Sequence, residues 1–285
     1  MEVKRPTSIK QQISILKRKG IKIEDSSVCE QFLTDVSYYR ISGYLRALKK
    51  PHIPGGELSF EHLIKIYEFD SHLRALVFEI IEKIEISLRS RIGDYHASGY
   101  GALGYRDSSN FHHRFNHFRF THSVDNAIAD RRNSPVVKHH QEKYDGNFPI
   151  WVCIEFFSIG LLSFFYSGMA NKDKKALAKS VYGVNYQTMQ NWLHCLNDLR
   201  NCCAHYSRLY YWKFPGIPRI PKRINYEATH RFFSQLYMLK WMYPAPERWN
   251  DEVMKPLRRL IKKYRPYIDL RDIDFPRCWN AMLKV

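Results

Sequence analysis

Hydrophobic positions in the first third of the chain recur at intervals of three and four residues, from residue 63 to residue 95. This spacing places them on one side of an α-helix, so the segment is predicted to form one long amphipathic helix. A second amphipathic pattern follows Thr188, whose hydroxyl suits a helix N-cap. The apolar positions are Leu63, Ile66, Tyr67, Leu73, Leu76, Val77, Ile80, Ile81, Ile84, Leu88, Ile92 and Tyr95 in the first pattern, and Met189, Leu193, Leu196, Leu199, Cys203, Tyr206 and Leu209 in the second.

Shorter apolar patterns predict further helices on both sides of these two. Three short helices fit residues 8–50, one helix each fits residues 150–168 and 172–181, and two more fit residues 226–243 and 247–264. No segment alternates between apolar and polar positions as a half-buried strand would. The fold class is therefore predicted to be all-α.

Breaks in these patterns divide the chain into three segments. We expect residues 1–50 to form a short N-terminal helical unit, residues 58–213 a helical core, and residues 214–285 a basic connector with C-terminal helices. Residues 98–135 have no clear period, so they are predicted to be an irregular insertion with one helix near residues 110–128. Prolines at every third position predict an extended connector. They are Pro215, Pro218 and Pro221.

One apolar stretch, residues 148–166, is about as long as a bilayer-spanning helix needs to be. Glu155 lies near its middle, where an acidic side chain costs about 2.5–3.5 kcal/mol to insert. We therefore interpret the stretch as a buried core helix. The first residues lack the apolar run of a signal peptide and the six cysteines show no disulfide spacing, so the chain is expected to be cytoplasmic with reduced thiols.

The charge of the chain points to a polyanionic partner. There are 45 Lys and Arg against 28 Asp and Glu, which gives a formal net charge of +17. Nucleic acid is the usual partner of such a field. Charge alone does not separate RNA from DNA or from an anionic membrane surface, because all three attract cations by the same screened interaction.

The candidate for chemistry is the sequence RNCCAH at residues 200–205. At about 100° per residue, Asn201 and His205 share one face of the second long helix, and Arg200 lies about 140° from His205. An imidazole can accept or deliver a proton near neutral pH, and a guanidinium can stabilise the charge of a phosphate in the transition state. These groups suit metal-free cleavage of RNA by its own 2′-hydroxyl, with Asn201 orienting the imidazole or a phosphate oxygen.

The spacing of Arg200 and His205 is not specific by itself. An Arg followed by four to six residues and then His occurs eight times in the chain. Only Arg132 and Arg200 among these arginines are followed directly by Asn, and Pro135 interrupts the helix that Arg132 would need. Arg200 is the candidate that remains.

The segment LNDLRNCCAHYSRLY, residues 196–210, resembles the characteristic helix of Abi-like abortive infection proteins of the AbiD/AbiF type. These proteins are a branch of the HEPN superfamily, whose hallmark is Arg-Asn-x-x-x-His. Three other stretches resemble the same family in the same order, which extends the resemblance over about residues 8–213. They are VSYYRISGYLR at 36–46, YEFDSHLRALVFEIIEKIEISLRSRIGDYH at 67–96 and HHQEKYDGNFPIWVCIEFFSIGLLSFFY at 139–166.

The resemblance implies a HEPN-like helical bundle that acts as a metal-independent endoribonuclease in phage defence or in a toxin–antitoxin system. It implies that Arg200, Asn201 and His205 are the catalytic residues and that no cofactor is used. It also implies a homodimer that brings two Arg–His sets together. RNA is the implied substrate, and the sequence leaves open whether a small RNA also restrains the activity.

Cationic and aromatic side chains after the motif are candidates for guiding RNA into the site, with a solvated cationic face as the alternative. They are Arg208, Tyr211, Lys213, Arg219, Lys222 and Arg223. A second candidate pair, Arg91 and His96, lies on the long helix and would come near the motif if consecutive helices pack together. Rings and cations around residue 40 resemble a stacking surface, but Tyr39 and Gly43 are interpreted as core.

Two other functions are compatible with this sequence. A basic helical module would hold a structured RNA without cutting it, and the short N-terminal helices would bind DNA if they formed a helix-turn-helix. The second is weaker because no helix there is rich in base-reading side chains. His113 and His117 have the one-turn spacing of helical metal ligands, but no Cys or Glu completes a site, so no metal ion is predicted.

Overall fold

The computed structural model describes residues 5–45, 58–221 and 226–285. The regular elements in these ranges are helical, which confirms the all-α prediction, and β pairing there is limited to two isolated bridges. The α-helices are α1 (Ile9–Arg18), α2 (Ser26–Val36), α3 (Tyr38–Ser42), α4 (Phe60–Tyr100), α5 (His117–Ala129), α6 (Pro135–Lys143), α7 (Ile150–Cys153), α8 (Ile159–Gly168), α9 (Asn171–Tyr182), α10 (Tyr186–Ala204), α11 (Phe232–Met242), α12 (Lys255–Tyr264) and α13 (Trp279–Leu283). Short 3₁₀ turns occupy Gly104–Arg106, Ser108–Asn110, Ile154–Phe156, Pro246–Arg248 and Leu270–Ile273, and a π-helical segment occupies Asn250–Met254.

Helix α4 is the element on which the other helices pack. The Ser59 hydroxyl caps its N-terminus by accepting a hydrogen bond from the His62 backbone N–H at 3.1 Å. The helix continues for 41 residues, about 60 Å, and stops at Gly101, which has a φ of 76°. Its apolar stripe packs against α7, α10 and α12. The predicted long helix is confirmed and extends a few residues beyond the apolar pattern at both ends.

Helix α10 carries the first five residues of the RNCCAH motif and packs against α4, α8 and α9. The prediction that Thr188 caps the N-terminus of this helix is wrong. Asn185 is the cap, because its side-chain oxygen accepts a hydrogen bond from the Thr188 backbone N–H at 2.8 Å. The helix therefore begins three residues earlier than predicted. It ends at Ala204, and His205 is its C-cap residue.

The apolar stretch at residues 148–166 is largely buried, as predicted, but it is not one helix. The chain leaves α7 through a 3₁₀ turn and becomes extended at Phe157. Ser158 then starts α8, because its hydroxyl accepts a hydrogen bond from the Leu161 backbone N–H at 3.1 Å. The apolar pattern did not predict this break because apolar residues surround it on both sides. In the described ranges, no helix is long and apolar enough to cross a membrane.

The three predicted segments share one hydrophobic cluster, which contains buried residues from Ile13 to Leu283. Helices α1, α2 and α3 confirm the three short N-terminal helices, and α5 is the helix expected in the irregular insertion. Two C-terminal helices are also confirmed, but they are shorter than predicted: α11 begins at Phe232, and α12 begins at Lys255, after the π-helical segment. Helix α13 was not predicted, because five residues are too few to show a helical period.

Candidate functional site at the end of helix α10

The RNCCAH motif occupies the last turn of α10 and its C-cap. Arg200 and Asn201 are half-buried, and His205 is exposed. The His205 backbone N–H donates to the Asn201 carbonyl at 3.0 Å, which places the two side chains on the same helical turn. Within the described chain these three side chains form no hydrogen bond or ion pair. Their polar groups are therefore available to a ligand.

The chain reverses direction immediately after His205. Tyr206 has a φ of 55°, in the left-handed region that non-glycine residues rarely adopt. Its backbone N–H donates to the Cys203 carbonyl at 3.1 Å, and the Ser207 N–H donates to the Cys202 carbonyl at 2.9 Å. The Arg40 guanidinium of α3 donates to the Tyr206 carbonyl. These contacts end the helix and fix the backbone beside His205.

A buried carboxylate on α4 fixes the segment that follows this turn. Asp70 is completely buried and accepts hydrogen bonds from the backbone N–H groups of Leu209 and Tyr210, at 3.0 and 2.9 Å. It also accepts from the Tyr44 hydroxyl at 2.5 Å and forms an ion pair with Arg74 at 2.7 Å. Burial raises the pKa of Asp70, and Arg74 and the hydrogen bonds oppose that shift. The geometry suits the ionised carboxylate because each of these partners is a donor.

The Asp70 contacts were not predicted from the sequence, although a signal is present. Asp70 and Arg74 are one turn apart on the apolar stripe of α4, where a lone charge would be costly to bury. A charged pair at this spacing on a buried stripe indicates an internal ion pair. The backbone N–H groups that donate to Asp70, at residues 209 and 210, are far from it in the sequence, so the apolar pattern does not identify them.

Replacing Asp70 by alanine should lower the free energy of unfolding by about 3–5 kcal/mol, because the change leaves the Arg74 charge buried without its partner. Urea denaturation of the purified variant measures this loss. Asp251→Ala is the matched control, since it removes an exposed carboxylate paired with Lys255 and should have a far smaller effect. Equal losses in the two variants would contradict the assigned role of Asp70.

Helix α3 of the N-terminal unit also contacts the segment after the motif. The Arg208 guanidinium donates to the Gly43 carbonyl, at the end of α3. A Cβ atom at Gly43 would collide with that guanidinium, so a larger residue here would displace the Arg208 side chain. Gly43 is half-buried, in keeping with the expected packing position.

Arg200 and His205 line two different clefts of the chain. Arg200 lies at a cleft of about 660 Å³ between α4, α5, α8 and α10, which we call the arginine cleft. His205 lies at a cleft of about 400 Å³ between α3 and the segment after α10, which we call the histidine cleft. The separation follows from the position of the two residues on the helix, since five residues rotate the side-chain direction by about 140°.

Exposed aromatic rings line the histidine cleft. Tyr39 is 90% exposed, Tyr206 68% and Trp212 38%. The interpretation of Tyr39 as core was wrong, because α3 is only five residues long and buries Ile41 instead. Exposed rings beside an imidazole can stack on unpaired nucleobases.

The structure places the other predicted RNA contacts in several environments. Lys213 and Arg219 are exposed, and Arg208 is engaged with Gly43. Tyr211 is buried and its carbonyl accepts a hydrogen bond from Arg231, which does not support a role in RNA contact. The two remaining candidates lie outside the described residues. They are Lys222 and Arg223.

The two residues of the second candidate pair, Arg91 and His96, lie in different environments, one exposed and one buried. Arg91 is exposed and its Nε donates to the Ser87 hydroxyl at 3.1 Å. His96 is 0% exposed and packs against the rings of Phe111 and Phe165. Burial lowers the pKa of His96 to about 4, so the imidazole is neutral at pH 7 and out of reach of a substrate. We therefore propose no catalysis by this pair.

The histidines considered as metal ligands lie in the loop before α5 and at its start. His117 Nε2 contacts the Tyr105 carbonyl at 2.9 Å, and the ring of His112 packs beside that of His113. Among residues 5–45, 58–221 and 226–285, no three His, Cys, Asp or Glu side chains are grouped so that they could hold a metal ion.

The fold and the site together define an all-helical, cationic protein with an accessible imidazole at the end of a core helix. A family model described as Abi-like protein matches residues 31–211, which include α10 and the Asp70 contacts. The chain belongs to the Abi-like protein family, and this membership suggests a role in abortive infection, a form of phage defence. Comparison with curated proteins and with solved structures finds no significant match.

Proposed function

We propose that the chain is a metal-independent endoribonuclease of a phage-defence system, with Arg200, Asn201 and His205 as its catalytic residues. The observation that carries this proposal is the exposed imidazole of His205 one helical turn after the Asn201 amide, with the Arg200 guanidinium one residue earlier in the same motif. None of these three side chains has a polar partner within the described chain. The resemblance to the HEPN superfamily supports the same assignment. A toxin–antitoxin system is the alternative biological setting for the same activity.

The proposed reaction is attack of an RNA 2′-hydroxyl on the adjacent phosphorus. A base removes the 2′-hydroxyl proton, the new P–O bond forms, and an acid delivers a proton to the departing 5′-oxygen. The products are a 2′,3′-cyclic phosphate and a 5′-hydroxyl. His205 exchanges these protons, Arg200 stabilises the charge on the phosphate oxygens, and Asn201 orients the imidazole or a phosphate oxygen.

The proposed assembly is a homodimer. The reaction needs one proton acceptor and one proton donor, and each chain offers a single imidazole in the motif. Two chains would supply two copies of His205 together with two copies of Arg200. This arrangement also suits the position of Arg200 and His205 in different clefts of one chain. The RNA substrate implies that the protein acts in the cytoplasm.

The charge of the chain supports an RNA substrate. A protein that neutralises several phosphates releases bound counterions, so its affinity falls steeply as salt rises. The net charge of +17 favours many such contacts. The same charge favours a binding module that does not cut, which is the alternative to the proposed enzyme.

Incubation of the purified protein with mixed cellular RNA in excess EDTA tests the proposal. We expect the RNA to be cut, because the imidazole and the guanidinium supply the proton transfers and the charge stabilisation themselves. Duplex DNA should stay intact, since it lacks a 2′-hydroxyl. Cleavage that EDTA abolishes and Mg²⁺ restores would contradict the mechanism. Binding of RNA without any cleavage would favour the binding module.

A further inference from the structure

The arginine cleft extends from Arg200 to the helix of the irregular insertion. Residues of α5 line its wall at intervals of three and four, which places them on one face of that helix. They include Arg119, Ser123 and Asn126, followed by Asp130 at the C-cap. The opposite face of α5 is apolar and packs inward. Packing of the apolar face against the core therefore fixes the orientation of α5, so that its polar face lines the cleft.

The cleft carries a positive charge that the protein does not neutralise. Arg89, at its base, forms an ion pair with Glu85 and donates to the Phe157 carbonyl at 2.8 Å. Three other arginines line the cleft, and across the described ranges none of them forms an ion pair. They are Arg119, Arg131 and Arg200. Asp130 is the one carboxylate besides Glu85 among the lining residues that the structure describes, so the cleft favours an anion.

Two of these guanidinium groups are held over aromatic rings. Arg119 lies 5.6 Å from the ring centroid of Phe164, and Arg131 lies 5.2 Å from that of Phe156. Arg131 also donates to the Ala127 carbonyl at 3.0 Å. A ring contacts the face of a guanidinium and leaves N–H groups on its edge to bind the oxygens of a phosphate.

We propose that the arginine cleft binds the phosphates of single-stranded RNA on one side of the cleavage site. This inference rests on the proposed function, because Arg200 is shared between the cleft and the catalytic motif. The volume of about 660 Å³ lies within the range of roughly 300–1,000 Å³ that is usual for ligand clefts. Arg119 and Arg131 are exposed at its edge, so a strand can enter without rearrangement of the core. Ser123 and Asn126 offer polar groups to the sugar and the base.

The experiment compares RNA affinity in proteins that cannot cut, so that binding is measured without cleavage. In a His205→Ala background, Arg119→Gln with Arg131→Gln is compared with Arg259→Gln with Lys262→Gln. The second pair removes two exposed cations from α12, outside the cleft. Fluorescence anisotropy with a labelled 12-nucleotide RNA gives the affinity of each protein at several salt concentrations. Circular dichroism checks that each variant is folded.

We expect the cleft pair to weaken RNA binding at least about tenfold at physiological salt and the α12 pair to weaken it much less. The dependence of log affinity on log salt should also become shallower by about 1.4, since each lost phosphate contact on a single strand contributes about 0.7. Equal weakening by both pairs would show that only the overall charge matters and would overturn the inference.

Further outcomes separate this inference from the proposed function. If the His205→Ala protein binds RNA and the cleft pair does not change its affinity, the cleft inference fails, while the proposed function is unaffected because the cleavage assay with the wild-type protein tests it separately. If the protein with both arginines intact binds no RNA, the proposed function fails and the inference fails with it. Adenosine monophosphate is titrated into the same proteins by calorimetry. If the cleft pair weakens its binding and leaves RNA binding unchanged, the cleft is a site for a small phosphorylated ligand and the inference is overturned.

Discussion

Replacing His205 by alanine should lower the rate of RNA cleavage by about 10²–10⁴-fold, the usual contribution of a general acid–base group. The affinity for RNA should change little, because an imidazole that moves protons in the transition state adds little to ground-state binding. The fold should also be retained, since the side chain is exposed and has no polar partner in the described chain. Single-turnover cleavage and anisotropy binding measure the two quantities separately.

His194→Ala is the matched control for this experiment. His194 is also an exposed histidine of α10, but it lies three turns before the C-cap and lines neither of the two clefts. Its replacement should leave the cleavage rate unchanged. If the His205 variant cuts RNA at the wild-type rate, the end of α10 is not the active site.

Replacing Arg200 by alanine should weaken both binding and cleavage. A guanidinium holds a phosphate before and during the reaction, so its loss should reduce the affinity for RNA by about 10-fold or more. The cleavage step should slow by a further 10²–10³-fold or so, as for the loss of other donors that stabilise transition-state charge. Arg200→Lys keeps the charge but loses the planar fork, and it should recover binding better than cleavage. Single-turnover cleavage and anisotropy binding measure the two effects of each Arg200 variant.

The effect of Arg200 must be distinguished from a general loss of charge. Arg259→Ala removes one exposed arginine of α12 and serves as the control. It should reduce affinity slightly and leave the cleavage step unchanged. An Arg200→Ala protein with normal cleavage and weakened binding would make Arg200 a binding residue only, and the proposed transition-state role would be wrong.

The helices that were predicted from the sequence are those with a long and regular apolar pattern. Helix α4 has such a pattern over more than thirty positions, so propensity and burial agree throughout its length. Helix α8 was merged with α7 because apolar residues surround the break at Phe157. The cap of α10 was misplaced because Asn185 and Thr188 can both cap a helix, and the apolar pattern that begins at Met189 favoured Thr188 although Asn is the stronger N-cap.

The part of the candidate site that depends only on neighbouring positions of one helix could be predicted from the sequence. Asn201 and His205 share a face because of helix geometry alone, and the structure confirms their place on one turn. The division into two clefts was not predictable, since the arginine cleft depends on how α5 packs on α8. The exposure of Tyr39 depends in the same way on the docking of α3. Contacts between elements that are far apart in the sequence leave no periodic signal.

The most direct test of the central claim is the chemical structure of the ends of the cut RNA. A synthetic RNA is incubated with the wild-type protein in excess EDTA, and the fragments are analysed by mass spectrometry. The proposed mechanism predicts a 2′,3′-cyclic phosphate, or the 3′-phosphate formed by its hydrolysis, on one fragment and a 5′-hydroxyl on the other. Fragments that end in a 3′-hydroxyl and a 5′-phosphate would contradict it, because they require attack by water in place of the 2′-hydroxyl.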